Sequence, residues 1–143
     1  MLMIGADIVD TDEVARSVAT LAAPYVKRLF TEAELSEHGG LETLLRPGSH
    51  QLLARHFAAK EAILKLLGLG DLGVDLRSIE ICHPGGCQGP VRLSGNAAAL
   101  AEAAGICRIL VSWSGTGGVA MAVAVATGGG TSGATGGGAD GQN

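Results

Sequence analysis

The sequence predicts an α+β fold in which a mostly antiparallel sheet packs against a long helix. The chain begins with an apolar run, Met1 to Val9, that is typical of a buried strand. Its middle is helical, with one long segment from His50 to Leu67. Its last third has two further apolar runs separated by Gly115 to Gly118, which indicates a hairpin. Strands that follow a helical middle favour helices on one side of an antiparallel sheet.

The first third of the chain contains a strand and three helical segments before a loop. Asp10 and Glu13 have capping-box spacing, with Asp in place of the usual Ser or Thr, and Thr31 and Glu34 repeat that spacing. In order, we predict the strand Met1 to Val9, a helix from Asp10 to about Ala22, a helical segment from Pro24 through Phe30, a helix from Thr31 to about His38, and a turn-rich loop from Gly39 to Gly48.

The rest of the chain alternates glycine-rich turns with regular elements. Ser49 is placed to cap the long helix, and Gly68 and Gly105 are placed to end helices in the left-handed conformation. In order, we predict the helix His50 to Leu67, a GLGDLG loop, strands Leu76 to Cys82 and Pro90 to Leu93 joined by the HPGGCQG turn, a helix Asn96 to Ala104, and the hairpin strands Ile109 to Ser114 and Val119 to Ala126.

Composition limits the class of protein. The 143 residues are 47% hydrophobic and 17% charged, enough for one folded domain, which we place at 1–127. Residues 128–143 are half glycine, and we predict a disordered tail. A net charge of −4 and 3% aromatic residues argue against nucleic-acid binding. No apolar run is long enough to span a membrane and no signal peptide is evident, so we expect a cytoplasmic protein.

The cysteines allow two interpretations. Cys82, Cys87 and Cys107 are odd in number and show no paired spacing, so a disulfide framework is not expected. Cys82 and Cys87, with His83, could belong to a zinc site. Because no C-x-x-C pair is present, small core or loop residues are the favoured interpretation.

The strongest chemical signal lies in the long helix. Glu61 and Lys65 are four residues apart and share one helical face, with Ala58 and Ala62 beside them. An exposed ion pair is the simpler interpretation. The small alanines would instead let a ligand lie close to the helix. The segment Arg46 to Lys65 also concentrates basic residues, an arrangement suited to holding a phosphate and a metal ion together.

Several segments together resemble one enzyme family. They are IGADIV, KRLFTEAEL, ARHFAAKEAILKLLGLG, SIEI, GPVRLSGNA and VSWSGTGGVAMAVAV. In this combination the sequence resembles the 4′-phosphopantetheinyl transferases, and within them the short holo-acyl-carrier-protein synthases. The resemblance runs from about Ile4 to Val125. Its specific part is the pairing of G-x-D-I-V with F-x-x-K-E-A-x-x-K.

The resemblance implies a reaction and a set of catalytic residues. The family moves the phosphopantetheine arm of coenzyme A onto a serine of an apo acyl carrier protein, of fatty-acid or polyketide type, and releases adenosine 3′,5′-bisphosphate. It implies that Asp7 and Glu61 bind Mg²⁺ and that Glu61, or a water it orients, takes the serine proton. Lys65 would contact the pyrophosphate. The short members assemble as trimers with coenzyme A between subunits, so a homotrimer is expected.

The resemblance also suggests residues that bind coenzyme A. Lys60 either contacts phosphate or nucleotide or is structural, and the two interpretations stay open. Gly70 would let the backbone approach the ligand. Arg55 and His56 stand where the family often has an arginine before the phenylalanine, with His56 at that position. Thr116 is a candidate anion ligand, together with the amides that follow it.

Two departures from the family pattern favour an alternative. Gly115 stands where the family often has a histidine next to the nucleotide. Glu13 stands near the place where short members carry an arginine that meets the acidic carrier. The alternative function is therefore a homologue that binds a carrier protein or coenzyme A but is impaired in transfer.

Overall fold

The computed structural model describes residues 1–70, 73–82 and 88–129. Its strands and helices occur along the chain in this order: β1 Leu2–Asp10, α1 Thr11–Leu21, α2 Ala23–Leu29, α3 Glu32–Glu37, α4 Leu41–Leu44, α5 His50–Leu66, a 3₁₀ turn Leu76–Ser78, β2 Ile79–Ile81, β3 Gln88–Leu93, α6 Gly95–Ala103, β4 Ile106–Thr116 and β5 Val119–Gly128.

The five strands form one sheet in the order β1-β5-β4-β3-β2, and every neighbouring pair is antiparallel. The predicted α+β class with an antiparallel sheet is confirmed. Helix α5 crosses one face of the sheet and contacts β1, β5 and β4. The hairpin β4–β5 is longer than predicted, and β5 includes Gly128, which the sequence analysis assigned to the tail. Residues 130–143 of that tail lie outside the described residues.

Three helix ends have the capping interactions that the local sequence predicted. The Asp10 carboxylate accepts from the backbone N–H of Asp12, 2.8 Å away, and caps α1. Thr31 and Glu34 form a reciprocal capping box at the start of α3. Gly68 follows α5 with φ 73°, and the N–H groups of residues 68 and 69 donate to two carbonyls of the last turn. This pairing is a Schellman motif, which satisfies carbonyls that a helix end leaves free.

Two predictions at the start of α5 were wrong. The stretch predicted as a loop from Gly39 to Gly48 contains the short helix α4, which begins after Gly40 at φ 85°. Ser49 does not cap α5 through its side chain. Its hydroxyl instead donates to the Thr43 carbonyl of α4, 2.9 Å away, so the serine joins two helices rather than ending one.

The first predicted strand after α5 was also placed too early. Residues Leu76–Ser78 form the 3₁₀ turn, and β2 begins only at Ile79. The Asp75 carboxylate accepts from the Arg77 backbone N–H, which satisfies a donor at the start of the turn. Most of the HPGGCQG turn, residues 83–87, lies outside the described residues.

The sheet lies directly against the backbone of α5 at Gly5 in β1. A Cβ placed on Gly5 would lie 2.7 Å from the backbone nitrogen of Leu66 and closer still to the Ala62 carbonyl oxygen. Ala58 and Ala62 are fully buried at this side of α5. The small side chains therefore let the sheet pack closely against α5. The expectation that they would let a ligand lie there was wrong.

Replacing Gly5 by Ala should destabilise the fold. The added methyl overlaps helix backbone, which cannot move aside as a side-chain end can, so we expect a loss of about 2 kcal/mol or more in the free energy of unfolding. Chemical denaturation measures it. Gly118→Ala is the matched control, since a Cβ there meets no atom within 4 Å. Equal stabilities of the two variants would contradict the contact.

Candidate active site

Asp7 lies on the face of β1 that is turned toward α5. Residues of a strand alternate between faces, so Asp7 shares this face with Gly5 and Val9. Its side chain is only 13% exposed. The Lys65 ammonium donates a hydrogen bond to Asp7 Oδ1 at 2.6 Å, while half of the lysine side chain remains exposed. The close contact at Gly5 thus brings a strand carboxylate to a helix cation.

Glu61 completes a group of three charges. It lies one turn before Lys65 on α5 and is half-buried. Burial raises its pKa, and the nearby negative charge of Asp7 raises it further, while Lys65 opposes the shift. The hydrogen bond to Asp7 and its charge raise the pKa of Lys65. Two carboxylates and an ammonium that the sequence had singled out are therefore close enough to influence one another.

A cavity of about 370 Å³ opens beside Glu61. Arg28 of α2, Gly70 and the Asp75–Arg77 pair line it, and that pair is joined by an ion pair of 2.9 Å. A larger cavity of about 720 Å³ shares part of the same wall and adds Lys27. The charged residues that line the two cavities balance: three are basic, Lys27, Arg28 and Arg77, and three are acidic, Glu32, Glu61 and Asp75.

Arg28 was missed by the sequence analysis. Its only signal was a basic pair, Lys27 and Arg28, in the last turn of a short helix. Basic residues are common there because they favour the negative end of the helix dipole. Only the packing of α2 beside α5 shows that Arg28 faces the same cavity as Glu61.

Lys60 does not line this cavity. Its side chain is fully buried, and its ammonium donates to Glu34 Oε2 at 2.7 Å and to the carbonyls of Leu29 and Leu76. With three acceptors for its three donors, Lys60 has no free proton to offer a phosphate. Of the two interpretations left open by the sequence, the structural one fits these contacts, and the expectation that Lys60 binds the cofactor is corrected.

His56 is also buried, in an aromatic cluster rather than at the cavity. Its ring packs against Phe30 and Trp113, and its Nε2 lies 2.9 Å from the Nε2 of His38. Its Nδ1 has no hydrogen-bond partner among the described residues. Burial, then the charges of His38 and Lys60, lower the pKa of His56 to about 3. Within one protomer, the expected contact of His56 with coenzyme A is therefore not supported.

Arg55 and Thr116 lie near the other end of α5, beside the β4–β5 turn. Arg55 donates to the Gly115 carbonyl at 3.2 Å, and Thr116 is exposed. A Cβ on Gly115 would lie 2.9 Å from Arg55 Nε and would overlap Gln51 Oε1. Gln51 and Arg55 thus occupy the space that a side chain at residue 115 would need. Neither Arg55 nor Thr116 lines the Glu61 cavity.

No cluster of three or more metal-ligating side chains is found in the described ranges. Within residues 1–70, 73–82 and 88–129, no three His, Cys, Asp or Glu side chains converge on a common point. Cys82 and Cys107 are free thiols. The possible partners of Cys82 at positions 83 and 87 lie outside the described residues, so neither interpretation of the cysteines is tested, and the favoured one, small core or loop residues, stays a prediction. Within the same ranges no helix is both long and apolar enough to cross a membrane.

Comparison with known proteins gives a consistent set of relatives. The family model of the 4′-phosphopantetheinyl transferase superfamily matches residues 3–124. Holo-[acyl-carrier-protein] synthase from Caldanaerobacter subterraneus is 35% identical over 90% of this chain and 96% of its own length. The synthase from Desulforudis audaxviator is 37% identical over 90% of this chain and 94% of its own.

Solved structures agree with these relatives. The holo-ACP-synthase of Plasmodium yoelii superposes with a TM-score of 0.76 at 28% identity, over 90% of this chain and 95% of that one. The Neisseria meningitidis holo-[acyl-carrier-protein] synthase gives a TM-score of 0.69 at 31% identity, over 87% and 97%. Fold and relatives together define a transferase enzyme. The chain belongs to the 4′-phosphopantetheinyl transferase superfamily, and within it resembles the holo-[acyl-carrier-protein] synthases.

Replacing His56 should make the free energy of unfolding less dependent on pH in the acidic range. The folded-state pKa of His56 is depressed to about 3, so the unfolded chain takes up this proton first as the pH falls below about 6.5. The stability that depends on neutral His56 is complete above that pH and is lost between about pH 6.5 and 3, at up to about 1.4 kcal/mol per pH unit.

The test compares His56→Gln with the wild type by chemical denaturation between about pH 7 and 4. We expect a smaller slope of unfolding free energy against pH in the variant. His50→Gln removes an imidazole of the same helix outside the aromatic cluster and is the control. A slope in His56→Gln as steep as in the wild type would refute the assignment.

Proposed function

We propose that the protein transfers the 4′-phosphopantetheine arm of coenzyme A to a serine of an apo acyl carrier protein and releases adenosine 3′,5′-bisphosphate. The observation that carries this proposal is the meeting of Asp7, Glu61 and Lys65 beside a cavity lined by Arg28. The holo-[acyl-carrier-protein] synthases to which the chain is similar support the substrate classes. A structure of the Helicobacter pylori synthase, which shares this fold, is described as a complex with coenzyme A.

The carboxylates suit Mg²⁺. Hard oxygen ligands are what this ion prefers, and it commonly uses one or two protein carboxylates together with substrate phosphates. Asp7 raises the pKa of Glu61, so the two negative charges repel and a cation between them would be favourable. Asp7 and Glu61 would hold the ion, which when bound neutralises negative charge on the pyrophosphate.

The chain's own residues then have distinct tasks. The serine oxygen attacks the phosphorus that carries the pantetheine arm, and the bond from that phosphorus to the departing bisphosphate breaks. Glu61, or a water that it orients, takes the serine proton. Lys65, which is half exposed beside Asp7, would donate to the departing oxygen. Positioning and charge neutralisation carry most catalysis of phosphoryl transfer.

One observation favours the alternative, a homologue that binds its ligands but transfers poorly. Gly115 replaces a histidine that the family often places beside the nucleotide, and Gln51 and Arg55 fill the space. Intact-mass measurement of several apo carriers incubated with coenzyme A and Mg²⁺ separates the two. Transfer adds the mass of phosphopantetheine to a carrier. Binding of coenzyme A without any mass gain would support the alternative.

A homotrimer is part of the proposal. The face of the sheet opposite α5 is rich in exposed apolar side chains, which are Leu2, Ile4, Ile8, Leu110, Val119 and Met121. Contiguous exposed apolar surface commonly marks an interface with another protein. Arg55 and Thr116 stay candidate ligands of coenzyme A, as the resemblance implies. The cytoplasmic location stays a prediction.

Neutralising either carboxylate should abolish most of the activity. Glu61→Gln and Asp7→Asn keep the side-chain size but remove a charge, and we expect transfer to fall by about two orders of magnitude or more. The rate of holo-carrier formation, followed by intact mass at limiting Mg²⁺, measures this. Glu102→Gln on the exposed side of α6 is the control. Rates near that of the wild type in both active-site variants would exclude the proposed site.

A charge on the outer sheet face should break the assembly. Ile4 is 70% exposed in a single chain, so Ile4→Glu is expected to leave the fold intact and to yield monomers. Light scattering coupled to size-exclusion chromatography gives the mass of the particle. Leu100→Glu, at an exposed apolar residue of α6, should remain trimeric. A trimeric Ile4→Glu protein would show that this face is not the interface.

A further inference from the structure

Glu34 and Lys60 form a buried ion pair that the catalytic residues do not use. The two side chains are 1% and 0% exposed, and Lys60 Nζ lies 2.7 Å from Glu34 Oε2. Glu34 also accepts from the backbone N–H groups of Thr31 at 2.8 Å and Ile81 at 2.9 Å. Lys60 donates in addition to the carbonyls of Leu29 and Leu76. Each charged atom therefore has a partner, which is the condition for tolerating a buried pair.

Stability alone does not explain such a pair. Removing two charges from water costs several kcal/mol per ion, and apolar residues of similar volume often give equal or better stability. Apolar contacts are not directional, whereas each hydrogen bond from this pair fixes the position of one backbone atom. Four backbone groups, from different parts of the chain, are fixed by these two side chains.

Two of the backbone groups that the pair holds, those of Leu29 and Leu76, belong to segments that contribute walls of the Glu61 cavity. Leu29 does not line the cavity itself but directly follows Arg28, which does. Leu76 lines the cavity together with its neighbours Asp75 and Arg77. Lys60 itself directly precedes Glu61 in α5. The Lys60 side chain thus connects α5, the helix that carries Glu61, to the end of α2 and to the 3₁₀ turn through hydrogen bonds.

We propose that Glu34 and Lys60 are positioning residues for substrate, because their buried pair sets where Arg28 and the 3₁₀ turn stand relative to Glu61. The inference rests on the proposed function, since it assumes that this cavity receives coenzyme A. Asp7 and Lys65 are held by the separate contact between β1 and α5. Loss of the pair should therefore affect the binding of coenzyme A much more than the rate of the chemical step.

The test uses the double variant Glu34→Gln/Lys60→Met, which leaves no buried charge unpaired. We expect a folded protein whose Kd and KM for coenzyme A rise about tenfold, with kcat changed less than about threefold. Arg28→Gln should weaken binding in the wild type but add little in the double variant, because Arg28 no longer stands at the cavity. Arg92→Gln, which removes an exposed ion pair outside the cavity and leaves the hydrogen bond from Thr31 to Glu80 in place, is the control.

Calorimetric titration with coenzyme A distinguishes a failure of the positioning proposal from a failure of the proposed function. If the wild type binds coenzyme A and the double variant binds it equally tightly, the positioning proposal alone is overturned. If the wild type does not bind it, the proposed function fails and the inference falls with it. Should the double variant not fold, Glu34→Asp decides, since the shortened carboxylate keeps its charge but no longer reaches both Lys60 and Ile81. Unchanged affinity in Glu34→Asp would overturn the proposal.

Discussion

The absence of a side chain at Gly5 is the constraint on which the proposed active site depends. Because β1 has no Cβ there, the backbone of α5 lies directly against the strand at Ala62 and Leu66. Asp7 follows two residues later on the same face and reaches Lys65, with Glu61 one turn away. Neither element alone contains the site. Its chemistry arises from the distance between a strand and a helix, and that distance is set by one glycine.

Two lysines of α5 show how packing can give residues of the same type different environments. Lys60 and Lys65 are five residues apart, so at about 100° per residue they point in different directions. Lys60 is enclosed and its charge is met by Glu34, whereas Lys65 is half exposed beside Asp7. The burial of Lys60 organises the cavity walls, and the exposure of Lys65 leaves it able to meet a phosphate. Adjacent positions in the same motif thus differ: Lys60 is packed inside the fold, and Glu61 is the proposed base and metal ligand.

The sequence could predict those features that depend on local geometry. The shared face of Glu61 and Lys65 follows from helical periodicity, and the helix end at Gly68 follows from its left-handed backbone. Features that depend on packing between distant elements could not be predicted in this way. Arg28 at the cavity, the fully buried state of Lys60 and the filling of the space at Gly115 all require knowledge of which helix lies beside which.

The central claim is that Asp7 and Glu61 act as one unit across the contact between β1 and α5. A double-mutant cycle on the transfer rate tests it most directly, with Asp7→Asn, Glu61→Gln and the combined variant. Residues that act together are strongly non-additive, so the combined variant should be about as slow as the slower single variant. If the two losses instead multiply, the carboxylates act independently and the account of the site is wrong.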